Sequence, residues 1–241
     1  MLLPEIAARV DAARFVATLE RASRIRHPNP APISDVGAVE RVLFTSAPQV
    51  RGELLRDRLD REQRLPVAVA VDLTLAPVCA LECVERNDLP HLDITPRRVR
   101  LVGGTAILTD LGVIHGVVSG QRDDATESGV ALGTPAYMSP ELLAGDSESG
   151  HLSDIYSVAC LLFHMIVGHP PHHAPTSRAL MARRLREPLR RWATRARACQ
   201  KRWTRSCSTR SPGAPPTGCR MRTSCGSGCG RFAMETLTRK F

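Results

Sequence analysis

An α+β chain is predicted, a small strand-bearing part followed by a mostly α-helical part, on three observations. Residues 98–102 and 105–109 are two β-prone runs joined by Gly103-Gly104, a pair suited to a tight hairpin. Residues 65–84 and 152–167 are long apolar runs of helical length. Residues 188–241 then break from both in composition. They hold 13 Lys and Arg against one acid, Glu235, with both tryptophans (Trp192, Trp203) and five of the eight cysteines.

That break decides how the charge is read. A formal net charge of +9 over 241 residues suggests nucleic acid at first sight. All of the excess lies in the tail, however, and residues 1–187 are slightly acidic. The tail has no sustained apolar periodicity and is predicted to be irregular and disordered. Cys225 and Cys229 are spaced C-x₃-C, but there is no second pair at zinc-finger distance and no His follows His173. Neither a zinc module nor a nucleic-acid partner is expected.

The body reads in order as follows. Met1-Leu2-Leu3 leads directly into Pro4-Glu5, without the pattern of a signal peptide. A helix is predicted near 11–26, with Phe15, Leu19 and Ala22 on one face, ending at His27-Pro28. Residues 42–47 read as a strand. Residues 65–84 are apolar but interrupted by Asp72, Pro77 and Glu82, so a packed helix is expected rather than a membrane segment. Pro77 should kink or weaken it. Residues 152–167 read as a buried helix, N-capped by Ser153 or Asp154. Cys79, Cys83 and Cys160 fall on these helices as small core residues, which fits a reducing, cytoplasmic location. His169, His172 and His173 cluster after the last helix, but a metal site there is not expected.

Four segments carry chemistry. His91-Leu92-Asp93-Ile94-Thr95-Pro96 and Thr109-Asp110-Leu111-Gly112 each place an aspartate on a loop beside a short strand. Phosphoryl transfer needs such a pair, one carboxylate to accept a hydroxyl proton and one to hold Mg²⁺. Gly133-Thr134-Pro135-Ala136-Tyr137-Met138-Ser139-Pro140-Glu141 and Ser153-Asp154-Ile155-Tyr156-Ser157 follow. In order and spacing the four resemble the bacterial branch of eukaryotic-type (Hanks-type) Ser/Thr protein kinases.

The resemblance implies a protein-kinase-like fold over residues 1–187, with an incomplete small lobe (1–50) and a mostly α-helical large lobe (51–187), then the irregular basic tail. It implies ATP and Mg²⁺ as cofactors and protein as substrate. Asp93 takes the place of the catalytic base and Asp110 that of the metal ligand. Pro48-Gln49-Val50 resembles the hinge between lobes, which puts Ala47, Gln49 and Val50 beside the nucleotide. Residues 52–59 resemble the short helix after the hinge, and 178–186 a later helix. His91, Gly112, Thr134, Glu141 and Asp154 fall on positions that shape the catalytic loop and activation segment. Asp154 is the residue that anchors the catalytic-loop backbone.

Departures from the family pattern matter as much. Residues 1–187 contain no lysine, and the start resembles the stretch just after the third strand. The Gly-rich loop and the lysine of that strand are therefore expected to be missing. Thr18 stands where the resemblance places the ion-pairing Glu, and Glu20 would point to another face. Leu92 replaces an arginine, Thr95 a lysine, and Arg98 the asparagine that binds a second Mg²⁺. A guanidinium cannot ligate a cation. Back-translated and read in a shifted frame, the stretch from Pro188 resembles the family's final helices, so a frame change near Glu187-Pro188 is expected. The expected function is that of a kinase that is inactive or strongly impaired. A weakly active kinase, or a pseudokinase-type module that binds a partner kinase through its large lobe, are the alternatives.

Overall fold

The computed structural model describes residues 2, 4–39, 42–121, 133–145, 150–172, 174, 176 and 179–180. The expected helix at 178–186 and the tail from 188 fall almost wholly outside them.

After a single turn, α1 (Pro4–Ala7), the chain enters α2 (Ala12–Ser23). Asp11 caps it, its carboxylate accepting the Arg14 amide at 2.9 Å. The i, i+4, i+7 stripe of Phe15, Leu19 and Ala22 is buried as expected, and Thr18 is buried with it. Each fully buried Phe or Leu side chain contributes roughly 1.5–3 kcal/mol. Strands β1 (Asp35–Val39) and β2 (Val42–Ser46) form an antiparallel pair. β1 was not foreseen. Gly37 in its middle weakens its strand signal; a Cβ there would lie 2.7 Å from the tip of the Phe44 ring, which would have to move.

An irregular connector at residues 47–50 leads to the second sheet. This is β3 (Glu53–Leu54), β4 (Val99–Val102) and β5 (Thr105–Leu108), antiparallel in that order. Gly103 and Gly104 have φ of 56° and 84°, the left-handed pair that a two-residue hairpin requires. The helix expected at 52–59 begins later, as α3 (Leu55–Glu62), because residues 53–54 are drawn into pairing with Leu101 and Arg100.

The large lobe is built on α4 (Val67–Glu85) and α7 (Gly150–Val167), which pack on each other. Leu73, Ala80 and Val84 from α4 share one core with Val158, Leu161 and Met165 from α7. Both helices are long and apolar enough to cross a membrane by length and composition alone. Here their apolar faces are spent on each other and on the strands. Pro77 lies inside α4, which runs through it unbroken, so the expected weakening does not end the helix.

One cap expectation is corrected. Helix α7 starts at Gly150, so Ser153 and Asp154 lie inside the helix and neither is its N-cap. Their side chains instead bond to other segments: Ser153 Oγ to Ser139 Oγ at 2.7 Å, Asp154 to the catalytic loop. Two short helices complete the described chain, α5 (Val113–Ser119) and α6 (Pro140–Leu143).

Candidate active site

The loop at residues 91–95 is held from beneath by Asp154. Its two carboxylate oxygens accept the amides of His91 at 2.6 Å and Leu92 at 2.8 Å. Burial pushes the Asp154 carboxyl's pKa up, against the pull of His91 and the two amides. The anchored segment is strained: Leu92 is non-glycine at φ 64° and buried. His91 Nε2 pairs with the Thr109 carbonyl at 2.8 Å, and the Asp93 amide donates to His91 Nδ1 at 3.3 Å. The buried imidazole thus ties the loop carrying Asp93 to the strand end before Asp110.

Strand register brings the second aspartate alongside. Beyond the paired residues Val99 and Leu108, the Thr109 amide donates to the Arg98 carbonyl at 2.8 Å. Asp110, with φ 60°, then turns its carboxylate toward the same space as Asp93. Arg98 fills that space. Its Nε donates to Asp93 Oδ2 at 2.8 Å and its Nη1 to Asp110 Oδ2. The remaining Asp93 oxygen accepts Thr134 Oγ1 at 3.2 Å. Burial opposes the Arg98 charge, but the bond to Asp93 and the charges of Asp110 and Asp93 outweigh it and raise the pKa.

Gly112 then caps α5 at φ 73°. A Cβ on Gly112 would sit 3.2 Å from Ala22 Cβ, and one on Gly116 3.2 Å from Phe15 Cδ2, so α5 lies close on α2. Thr18 Oγ1 and Ser119 Oγ lie 3.4 Å apart across this contact. Thr18, at the expected ion-pair position, therefore faces α5, while Glu20 is exposed.

Residues 133–145 are fixed to α7. Tyr137 Oη and His164 Nδ1 are 2.6 Å apart in the interior, and Ser157 Oγ donates to the Tyr137 carbonyl at 2.9 Å. Burial pushes the Tyr137 phenol up and His164 down to about 4. Ser139 caps α6 by accepting the Leu142 amide at 3.1 Å. Glu141 is exposed and makes no ion pair among the described residues.

A family model described as the protein kinase domain matches residues 10–213. The chain belongs to the protein kinase family. The serine/threonine-protein kinase PknD of Mycobacterium tuberculosis (strain H37Rv) is 31% identical over 183 residues, 74% of this kinase chain and 27% of its own length. PknH of Mycobacterium bovis is 30% identical over 169 residues, covering 70% of this chain and 28% of its own. The DNA damage-responsive serine/threonine-protein kinase RqkA of Deinococcus radiodurans is 31% identical over 185 residues, 74% and 27%. The kinase chain thus spans about a quarter of the length of these relatives.

Asp93, Asp110, Thr134, His91 and Asp154 are brought together in one cluster by this fold. Ala47 and Gln49 lie exposed on the connector, with Val50 half-buried. His169 Nδ1 contacts its neighbour's carbonyl, Pro170 O, at 2.9 Å; no group of three or more His, Cys, Asp or Glu that could hold a metal occurs among the described residues, and His173 lies outside them. Sequence reasoning singled out Arg98 only as a lost ligand. The signal for its actual place was present: a two-residue turn at Gly103-Gly104 sets residue 98 opposite 109, hence beside Asp110.

Proposed function

We propose that this chain is a Ser/Thr protein kinase-type domain whose phosphoryl transfer is suppressed, and that it works as a protein-binding module through its large lobe. One observation carries the reading: the Arg98 guanidinium lies between Asp93 and Asp110 and bonds to both. In the kinase mechanism, Asp93 would accept the substrate hydroxyl's proton and Asp110 would hold the Mg²⁺ that neutralises charge on the transferred phosphate. A base whose two oxygens are already engaged by Arg98 and Thr134 is poorly placed to take a proton. A guanidinium cannot coordinate Mg²⁺, so the donor set does not fit the family's metal.

Thr18 and Leu92 support the same reading. Thr18 puts a neutral side chain where the family pattern has the ion-pairing Glu of the nucleotide site, and Leu92 puts one where it has the arginine that answers an activation-segment phosphate. The described part of the segment that faces a protein partner, residues 133–145, is by contrast anchored. Thr134, Tyr137 and Ser139 each hold a hydrogen bond to the catalytic loop or to α7. A partner of the same class as the relatives' substrates, a Ser- or Thr-bearing protein or another kinase, would dock there. The acidic balance of residues 1–187 argues against nucleic acid, and Cys79, Cys83 and Cys160, none of them in a disulfide, suit a reducing cytoplasm.

The test is labelled-phosphate transfer from Mg-ATP by the purified full chain, to itself and to a generic protein substrate. No incorporation above that of Asp93→Asn is expected. Incorporation that Asp93→Asn abolishes would overturn the suppression and return the chain to the active kinases.

A further inference from the structure

We propose that Arg98 is a resident cation: it stands between Asp93 and Asp110 in place of a divalent ion and makes the pair refuse Mg²⁺ and Mn²⁺. The proposal rests on the kinase-type reading of the cleft and goes further, because it names what balances the two carboxylates.

Two aspartates facing one space repel each other unless a positive charge lies between them. Here that charge is covalently part of the chain. Arg98 comes from the single turn Pro96–Arg98, whose last amide donates to the Thr95 carbonyl at 3.0 Å. The Arg98 carbonyl is fixed in turn by the Thr109 amide and, at 3.2 Å, by the Thr109 hydroxyl. The guanidinium is thereby held between two loops whose own positions are set by His91 and Asp154. Its planar fork suits two separate carboxylates, with Nε given to one and Nη1 to the other.

Three of the four carboxylate oxygens already accept hydrogen bonds: both of Asp93, and Oδ2 of Asp110. Asp93 is 5% exposed, so expelling Arg98 would strand a desolvated carboxylate. Mg²⁺ demands near-octahedral oxygen ligands and gives up its waters reluctantly. It cannot take the space while Arg98 holds it. The pair should then be stable without metal and indifferent to chelators.

The same geometry makes the site recoverable. Replacing Arg98 with Asn removes the competing charge and supplies one oxygen next to two freed carboxylates. The experiment is Mn²⁺ titration of the full chain, with free Mn²⁺ read by electron paramagnetic resonance. Wild type, R98N, R98K, D110N and R98N/D110N are compared, each checked for folding by circular dichroism.

Wild type and R98K are expected to bind no more Mn²⁺ than R98N/D110N. R98N is expected to bind one equivalent, tighter by about tenfold or more. Wild type binding one Mn²⁺ that is lost in D110N would overturn the proposal, as would a folded R98N that binds no more than wild type. If R98N does not fold, wild type against D110N still decides. Phosphate transfer by a wild type that binds no Mn²⁺ would sink the suppressed-kinase reading and leave this one standing.

Discussion

The Asp154 carboxylate, 62 residues along the chain from Leu92, holds the Leu92 amide at 2.8 Å in a backbone conformation that leucine rarely adopts. The same group holds the His91 amide, so one buried side chain ties the start of the loop carrying Asp93 to helix α7. Asp154→Ala would leave two buried amides without acceptors and release the strain at Leu92. A loss of about 3 kcal/mol is expected, measured as a shift of the urea midpoint at unchanged slope. Asp154→Asn should recover only part of it, since its NH₂ would face a donor. Stability within about 0.5 kcal/mol of wild type for the Ala variant would show that the loop is held by something else.

The contact between α2 and α5 should be tight enough to feel one methyl group. Phe15 is fully buried, so Phe15→Ala should cost about 3–5 kcal/mol. Gly116→Val should cost about 1–3 kcal/mol by pushing against Phe15. In the double variant Phe15→Ala/Gly116→Val, the two should be less than additive, because the cavity accepts the added side chain. Strict additivity in thermal or urea melts would mean the helices do not meet through these residues.

His164 sets a pH dependence. Its pKa in the fold is about 4, below the ordinary 6.5, because burial disfavours the charged ring. The unfolded chain therefore binds more protons between those values. Stability contributed by neutral His164 is complete above pH 6.5 and is lost as pH falls toward 4. The slope from this residue should reach about 1.4 kcal/mol per pH unit. His164→Gln keeps a partner for Tyr137 but should flatten that part of the profile. Identical slopes in wild type and variant would refute the assignment.

Phosphorylation of the activation segment should not order the site. Thr126 and Ser128 lie outside the described residues, but the residue a phosphate there would need is visible. Leu92, buried and apolar, offers no charge to it. Thr126→Glu and Ser128→Glu are expected to leave hydrogen exchange across residues 110–116 unchanged. New protection there would mean that another arginine answers the charge.

Much of this was legible from residues alone. The Phe15/Leu19/Ala22 stripe marked α2, Gly103-Gly104 marked the hairpin, and the two aspartates marked the cleft. Helix α5 was not legible: Val113, Ile114, Val117 and Val118 read locally as strand-formers, and only packing of Gly112 and Gly116 against α2 makes them helical. The N-cap reading of Asp154 failed because a carboxylate near a helix start has a strong local explanation, while its true partners lie 62 and 63 residues away. Arg98 was read by what it cannot do, ligate a metal. Its reach to both aspartates depends on side-chain direction, which spacing does not carry.

The most direct measurement is calorimetric titration of the purified full chain with ATP, with and without Mg²⁺, in wild type and Asp110→Ala. With Arg98 in the metal's place, Mg²⁺ should add nothing: either no binding heat, or weak binding that is the same with and without Mg²⁺ and in both proteins. Saturable ATP binding by wild type that requires Mg²⁺ and disappears in Asp110→Ala would contradict the role given to Arg98.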